Sequence, residues 1–243
     1  MLSAESYVTV VSKAIDQVQH TQLDVIHEAA ELLTEKIANG GVIHVFGTGH
    51  SQAFAMELAN RAGGLVPFHA ISIDHLRTSG QWNVDDPELE RNNELAFSLL
   101  NLYDLRPSDA AILVSNSGRN GSIIETCLEF HRRGIPVVAV TSMDHTTRVT
   151  ARHPSGKRLF ELADLVIDNC APLGDAVLED DRMDSKICAI SSVTGAVIAQ
   201  CLTAEIARRL LERHRSVPIL MSANIDGADE RNKALQSEYE GRI

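Results

Sequence analysis

The residues with the most chemistry to offer stand in one run, Ser115-Asn116-Ser117-Gly118-Arg119-Asn120-Gly121-Ser122. It follows the apolar stretch 110–114 and precedes a helix-like stretch at 123–133. A strand that feeds a small polar turn and then a helix makes an anion cradle. The helix start offers unpaired backbone N–H groups and the positive end of its dipole, and the hydroxyls add donors. Ser122 and Glu125 have capping-box spacing, which marks Ser122 as the N-cap. A second turn, Gly47-Thr48-Gly49-His50-Ser51, lies between apolar residues 42–46 and a helix-like stretch at 52–62. It is no dinucleotide loop: the third glycine of that fingerprint would fall at Gln52, and the nearest acid after the next strand, Asp74, comes late. It also lacks the Gly-Lys-Ser/Thr ending of a Walker loop. A shorter phosphate or sugar cradle fits it, and a plain strand-to-helix turn is the alternative.

Both turns need strands and helices to hold them. Helical periodicity runs through residues 4–38, as one helix or as two with a break near 20–22, and Gly40-Gly41 stops it. Strands are expected at 42–46, 66–73, 110–114, 137–141 and 165–167, alternating with helices at 52–62, 91–103 and 123–133. A short helix is expected at 159–163 and a long one at 185–214. The segment 74–94 has no periodicity and reads as a lid, a binding loop or a surface loop. Near-continuous apolar strands alternating with helices imply an α/β fold, a parallel sheet covered on both faces. Ligands bind such sheets beyond the carboxyl ends of the strands, where the strand order reverses. In the flavodoxin-like order 2-1-3-4-5, strands one and three are neighbours there, so the two turns meet at one crevice. One domain is expected over 1–243, with a core at about 39–168, a helical segment at 1–38 and a long helix and tail at 185–243.

Composition removes other classes. A net charge of −11 argues against nucleic acid, whose phosphates recruit Lys and Arg. An anionic small ligand stays open, because a local nest of N–H groups binds phosphate against the global charge. The apolar run 187–202 is broken by Ser191, Ser192, Thr194, Gly195 and Gln200 and is short for a membrane span, so it reads as a buried helix and no membrane contact is expected. No signal peptide is visible at the N-terminus. Cys127, Cys170, Cys188 and Cys201 form no CxxC pair and are expected as mostly buried, reduced thiols of a cytoplasmic protein.

The glycine turn, the Ser-x-Ser-Gly turn and their strands resemble the sugar isomerase (SIS) domain family. Ser115–Asn120, Thr141-Ser142-Met143-Asp144-His145 and Asn224-Ile225-Asp226-Gly227-Ala228-Asp229 are similar to its UPF0309 group and point toward phosphoheptose isomerases. The resemblance implies a phosphorylated sugar as ligand, with Ser115, Ser117 and the backbone N–H groups of Asn116 and Gly118 on the phosphate. Gly49 and Ser51 face it from the other turn. Asn120 stands where the family often has Ser or Thr, and its amide still donates. Arg119 adds charge or faces solvent. Glu57, in Gln52-Ala53-Phe54-Ala55-Met56-Glu57-Leu58, resembles a glutamate of the phosphoheptose isomerase helix. It is either the carboxylate that abstracts the proton α to the sugar carbonyl or a plain surface glutamate. Ala53 replaces a histidine of that helix, so no metal or other cofactor is expected. Ring opening calls for a histidine near neutral pKa: His50 is placed best, with His75 and His153 behind it, and each also reads as an ordinary hydrogen-bonding side chain. His44 reads as a satisfied core or edge histidine. The resemblance also implies a homodimer whose end helices complete the site from the partner chain. The expected activity is aldose–ketose isomerisation. A phosphosugar lyase of the N-acetylmuramic acid 6-phosphate etherase type and a non-catalytic phosphosugar sensor are the alternatives.

Overall fold

The computed structural model describes residues 2–79, 82–86 and 88–243. Five parallel strands form the sheet: β1 (Ile43–Gly47), β2 (Phe68–Ile71), β3 (Ala110–Val114), β4 (Val137–Thr141) and β5 (Leu165–Asp168), in the order β2-β1-β3-β4-β5. All residues of β1, β3 and β4 are buried, which is why these strands are apolar throughout rather than alternating. Their side chains divide between two cores. Val45, Ile112 and Val138 pack with α2 (Leu23–Ala38), α3 (Gln52–Leu58) and α7 (Ser191–Glu212) through Leu33, Leu58 and Leu202. Phe46, Leu113 and Ala139 pack with α4 (Leu95–Leu100) and α5 (Gly121–Arg132) through Leu99 and Phe130.

The first helical stretch is two helices, α1 (Ala4–Thr21) and α2, parted at Gln22, whose Oε1 accepts from the Asp168 amide at 2.9 Å. The break is therefore tied to the end of β5. Several expected spans shorten. α3 stops at Leu58, just before Asn60 takes up a left-handed φ of 53°. The helix expected from 185 begins at Ser191, because Ile187–Ala189 forms β7, paired antiparallel with β6 (Ala176–Leu178). The tail holds a further helix, α8 (Ala228–Ser237), launched from Gly227, and 74–94 contains 3-10 turns at Ile73–Ser79 and Leu89–Arg91. Of that segment, 80, 81 and 87 lie outside the described residues. The thiols depart from expectation as well: Cys127 is buried, but Cys170 and Cys201 are half-buried and Cys188, on β7, is exposed. Among the described residues, no helix is long and apolar enough to cross a membrane.

At the amino edge of the sheet, the fully buried His44 and Asp109 face each other, with Nε2 3.3 Å from Oδ2. Asp109 also accepts from the amides of Val42 (3.0 Å) and Arg106 (2.8 Å) and from Arg242 Nη2 (2.7 Å), which returns from the far end of the chain. Burial pushes the Asp109 carboxyl up, but these donors outweigh it and hold it well below the usual carboxylate range. His69, with Nδ1 3.4 Å from that of His44, is pushed down to about 4 by burial and by the neighbouring His44 and His75.

Candidate functional site

The parallel register aligns the carboxyl ends of the strands: Gly47 is opposite Val114, Val114 opposite Val140, and Thr141 opposite Asp168. The two turns therefore leave the sheet side by side, about 4.8 Å apart by ordinary strand spacing. Neighbouring strands brace the serine turn from behind. Thr141 Oγ1 donates to the carbonyls of Ser115 (2.7 Å) and Asn116 (3.2 Å), Thr146 Oγ1, at the end of the short helix α6 (Met143–Thr146), to that of Ser117 (2.8 Å), and Asn169 Nδ2 to Asn116 Oδ1 (2.6 Å). Gly118 has φ +55°, and a Cβ there would come within 3.2 Å of Leu159 and Thr146, so backbone conformation and space both favour glycine. Its N–H donates to Ser115 Oγ at 3.1 Å, so this donor is engaged within the turn.

A cavity of about 120 Å³ opens beside the turns, lined by His50, Ser51, Glu57, Asn116, Asn169, Ser191 and Ser192 among others. Glu57 Oε1 accepts from Gln200 Nε2 at 2.7 Å and pairs with Arg61, just past the end of α3. Among the described residues no Lys or Arg lines the cavity, and its polar lining consists of hydroxyls, amides, one imidazole and one carboxylate. The start of α7 forms one wall. It is fastened by Asp175, which accepts from the amides of Ile190 (3.1 Å) and Ser191 (2.8 Å) and from Ser191 Oγ (2.7 Å). Asp175→Ala is expected to remove this cap and lower stability by about 1–2 kcal/mol, read by urea denaturation.

The remaining predicted residues fall elsewhere. Gly49 lines a second cavity of about 420 Å³ on the other side of the first turn, with Thr48, Asp74, Asp85, Asp86 and Glu90. His153 is buried between Glu125 Oε1 (2.8 Å from Nε2) and Ser155 Oγ (2.8 Å from Nδ1) and does not line the first cavity. Ser115, Ser117, Gly118, Arg119 and Asn120 do not line that cavity. Ser122 is not the N-cap. Asn120 takes that position, and Ser122 Oγ donates to the Glu90 carbonyl at 2.7 Å, while Glu125 turns to His153. Arg119 is half-buried, and its proton affinity is lowered by burial first and then by the nearby Arg152 and Arg91. Among the described residues, no cluster of three or more His, Cys, Asp or Glu could hold a metal ion.

Sequence reasoning missed Ser191, Ser192, Asn169, Arg61 and Gln200. Three of these had a visible signal, because Ser191, Ser192 and Gln200 are among the polar breaks in the apolar run 187–202. They reach the cavity or its carboxylate where an all-apolar helix would have none to offer.

The SIS domain profile matches residues 6–142, more than half of the chain. The chain belongs to the SIS domain family. A UPF0309 protein of Caldanaerobacter subterraneus subsp. tengcongensis is 42% identical over 240 residues, covering 98% of this chain and 97% of its own. One from Halalkalibacterium halodurans is 38% identical over 237 residues, covering 98% of each. The UPF0309 membership expected from the turn motifs is thus shown over nearly the full length. Among solved structures, a phosphoheptose isomerase from Neisseria gonorrhoeae superposes with TM-score 0.57 at 16% identity, over 84% of this chain and 96% of that one. A phosphoheptose isomerase from Francisella tularensis gives TM-score 0.57 at 18% identity over the same shares. At such identities, this SIS chain and those two enzymes share a fold.

Proposed function

We propose that this SIS protein binds a phosphorylated sugar in the crevice between its two turns and isomerises it between aldose and ketose forms. The observation that carries the reading is that Glu57, His50, Ser51 and Asn116 line one cavity at the strand-order reversal. In this scheme Ser51, Asn116 and the hydroxyls of Ser115 and Ser117 hold the phosphate without a cation in the wall. Glu57 takes the proton from the carbon next to the carbonyl, leaving an enediolate, and returns it to the former carbonyl carbon, while the hydroxyl proton of the first carbon passes to the former carbonyl oxygen. His50 moves the proton needed for ring opening. His153, held by Glu125 and Ser155, has no step in this scheme. The paired form of the chain belongs to the same reading, with exposed Val8, Met56 and Leu211 on α1, α3 and α7 as apolar surface for it.

One observation favours a non-catalytic sensor instead: Glu57 Oε1 is already engaged by Gln200 and Arg61. A thermal-shift panel of hexose, heptose and amino-sugar phosphates, with inorganic phosphate as control, tests the ligand class. Phosphosugars are expected to raise the melting temperature above the phosphate control, and Ser117→Ala is expected to weaken them by about 1.5–3 kcal/mol in calorimetry. Equal affinity in that variant would remove the serine turn from the phosphate site.

A further inference from the structure

The start of α5, the part of the serine turn best suited to an anion, is covered by the chain itself. Glu90, in the second 3-10 turn, reaches both turns. Its Oε2 accepts from Thr48 Oγ1 at 3.0 Å, its Oε1 accepts from Asn120 Nδ2 at 2.8 Å, and its carbonyl accepts from Ser122 Oγ. A Cβ on Gly121 would fall 2.0 Å from Asn93 Oδ1 and 2.5 Å from the Arg91 carbonyl, so residues 90–93 lie directly on the first turn of the helix. Cations gather at the same place. The Arg152 amide donates to the Arg119 carbonyl at 3.2 Å and Arg152 Nη1 to Asn120 Oδ1 at 3.1 Å, while Arg91 follows Glu90 in the chain. In a chain of net charge −11, three arginines stand near one helix start, Arg91 being paired with Glu88, while Glu90 accepts from the neutral Thr48 hydroxyl and Asn120 amide.

We infer that the Glu90 carboxylate occupies the anion seat between the two turns, and that residues 88–93 form a strap which a ligand's phosphate displaces. The inference rests on the phosphosugar reading for the ligand, but the seat is argued from these contacts alone. Two donors that serve a carboxylate now, the Thr48 hydroxyl and the Asn120 amide, serve phosphate oxygens after exchange. A phosphate and Glu90 do not share the seat, since two anions on the same few donors repel. Glu90 itself stands in the wall of the second cavity, of about 420 Å³, beside Thr48 and Gly49.

The test uses the full chain, inorganic phosphate as probe, and Glu90→Gln with Glu90→Ala as a second variant. Calorimetry is expected to show both variants binding phosphate about tenfold or more tightly than wild type, as removal of a competing charged hydrogen-bond acceptor implies. Hydrogen exchange on wild type is expected to rise across 88–93 when phosphate saturates, because the strap leaves the helix. Equal or weaker phosphate binding in folded variants overturns the inference, as does exchange that falls across 88–93, which describes a lid closing on its ligand. Phosphosugar binding by wild type with no phosphate response in any variant sinks the strap and leaves the phosphosugar reading standing. Tighter phosphate binding with no response to any phosphosugar does the reverse.

Discussion

Glu57→Gln is expected to lower turnover of a phosphosugar by about 10²–10⁴-fold, the usual contribution of a positioned general base, with little change in affinity. The substitution keeps side-chain shape and an oxygen for the 2.7 Å contact from Gln200, while the amide no longer takes up a proton. It also breaks the pair with Arg61, but that guanidinium is 42% exposed and the pair is screened, so the fold should lose only about 0–1 kcal/mol. A rate collapse without loss of binding or stability assigns the chemistry to the carboxylate. If wild type turns over none of the phosphosugars it binds, the sensor reading replaces the enzyme, and Arg61 and Gln200 become structural partners of a silent glutamate. Single-turnover kinetics beside calorimetry on the same preparation separates these outcomes.

The second large effect lies at the opposite edge of the sheet. Asp109→Ala is expected to cost about 3–5 kcal/mol, because it leaves buried His44 and nearly buried Arg242 facing each other without the anion between them, and the amides of Val42 and Arg106 without an acceptor. The pH dependence follows from the same groups. The folded-state carboxyl lies below its ordinary value of 3.8, so its contribution is complete above that value and is lost as the pH falls beneath it. His69 acts earlier. Its folded value of about 4 against an ordinary 6.5 means that the unfolded chain takes up this proton first, and stability declines as the pH falls from 6.5 toward 4. Urea midpoints measured across pH should show both steps, with His69→Gln removing the upper one and Asp109→Asn the lower. A curve that stays flat from pH 7 to 4 would rule out this account of His69.

How much of this was written in the chain can be traced through particular residues. β3 and β4 were readable to the residue, since both are apolar runs closed off by polar turns and buried on two sides. The flavodoxin-like strand order came from the alternation of strands and helices, and it is the order that puts the two turns side by side. Local turn and helix patterns named His50, Ser51, Glu57 and Asn116, which line one cavity. They could not name a partner that comes from afar. Gln200 is 143 residues from Glu57, Asn169 is 53 from Asn116, and no periodicity announces such pairs. The capping-box spacing of Ser122 and Glu125 misled for a related reason. Local rules assume that a hydroxyl has no better offer, and here the Glu90 carbonyl, 32 residues away, supplied one.

The Arg242–Asp109 pair has a further consequence for how the chain is made. The two residues are 133 positions apart, so on a ribosome adding about 5–20 residues per second the guanidinium arrives roughly 7–27 s after the carboxylate. During that interval β1 and β3 can pair only around an aspartate still missing one of its donors. Closure of the central sheet is thereby linked to synthesis of a residue 133 positions downstream. Stalled or truncated products that stop short of Arg242 would carry this mismatched charge beneath β3, the kind of defect that quality control can recognise.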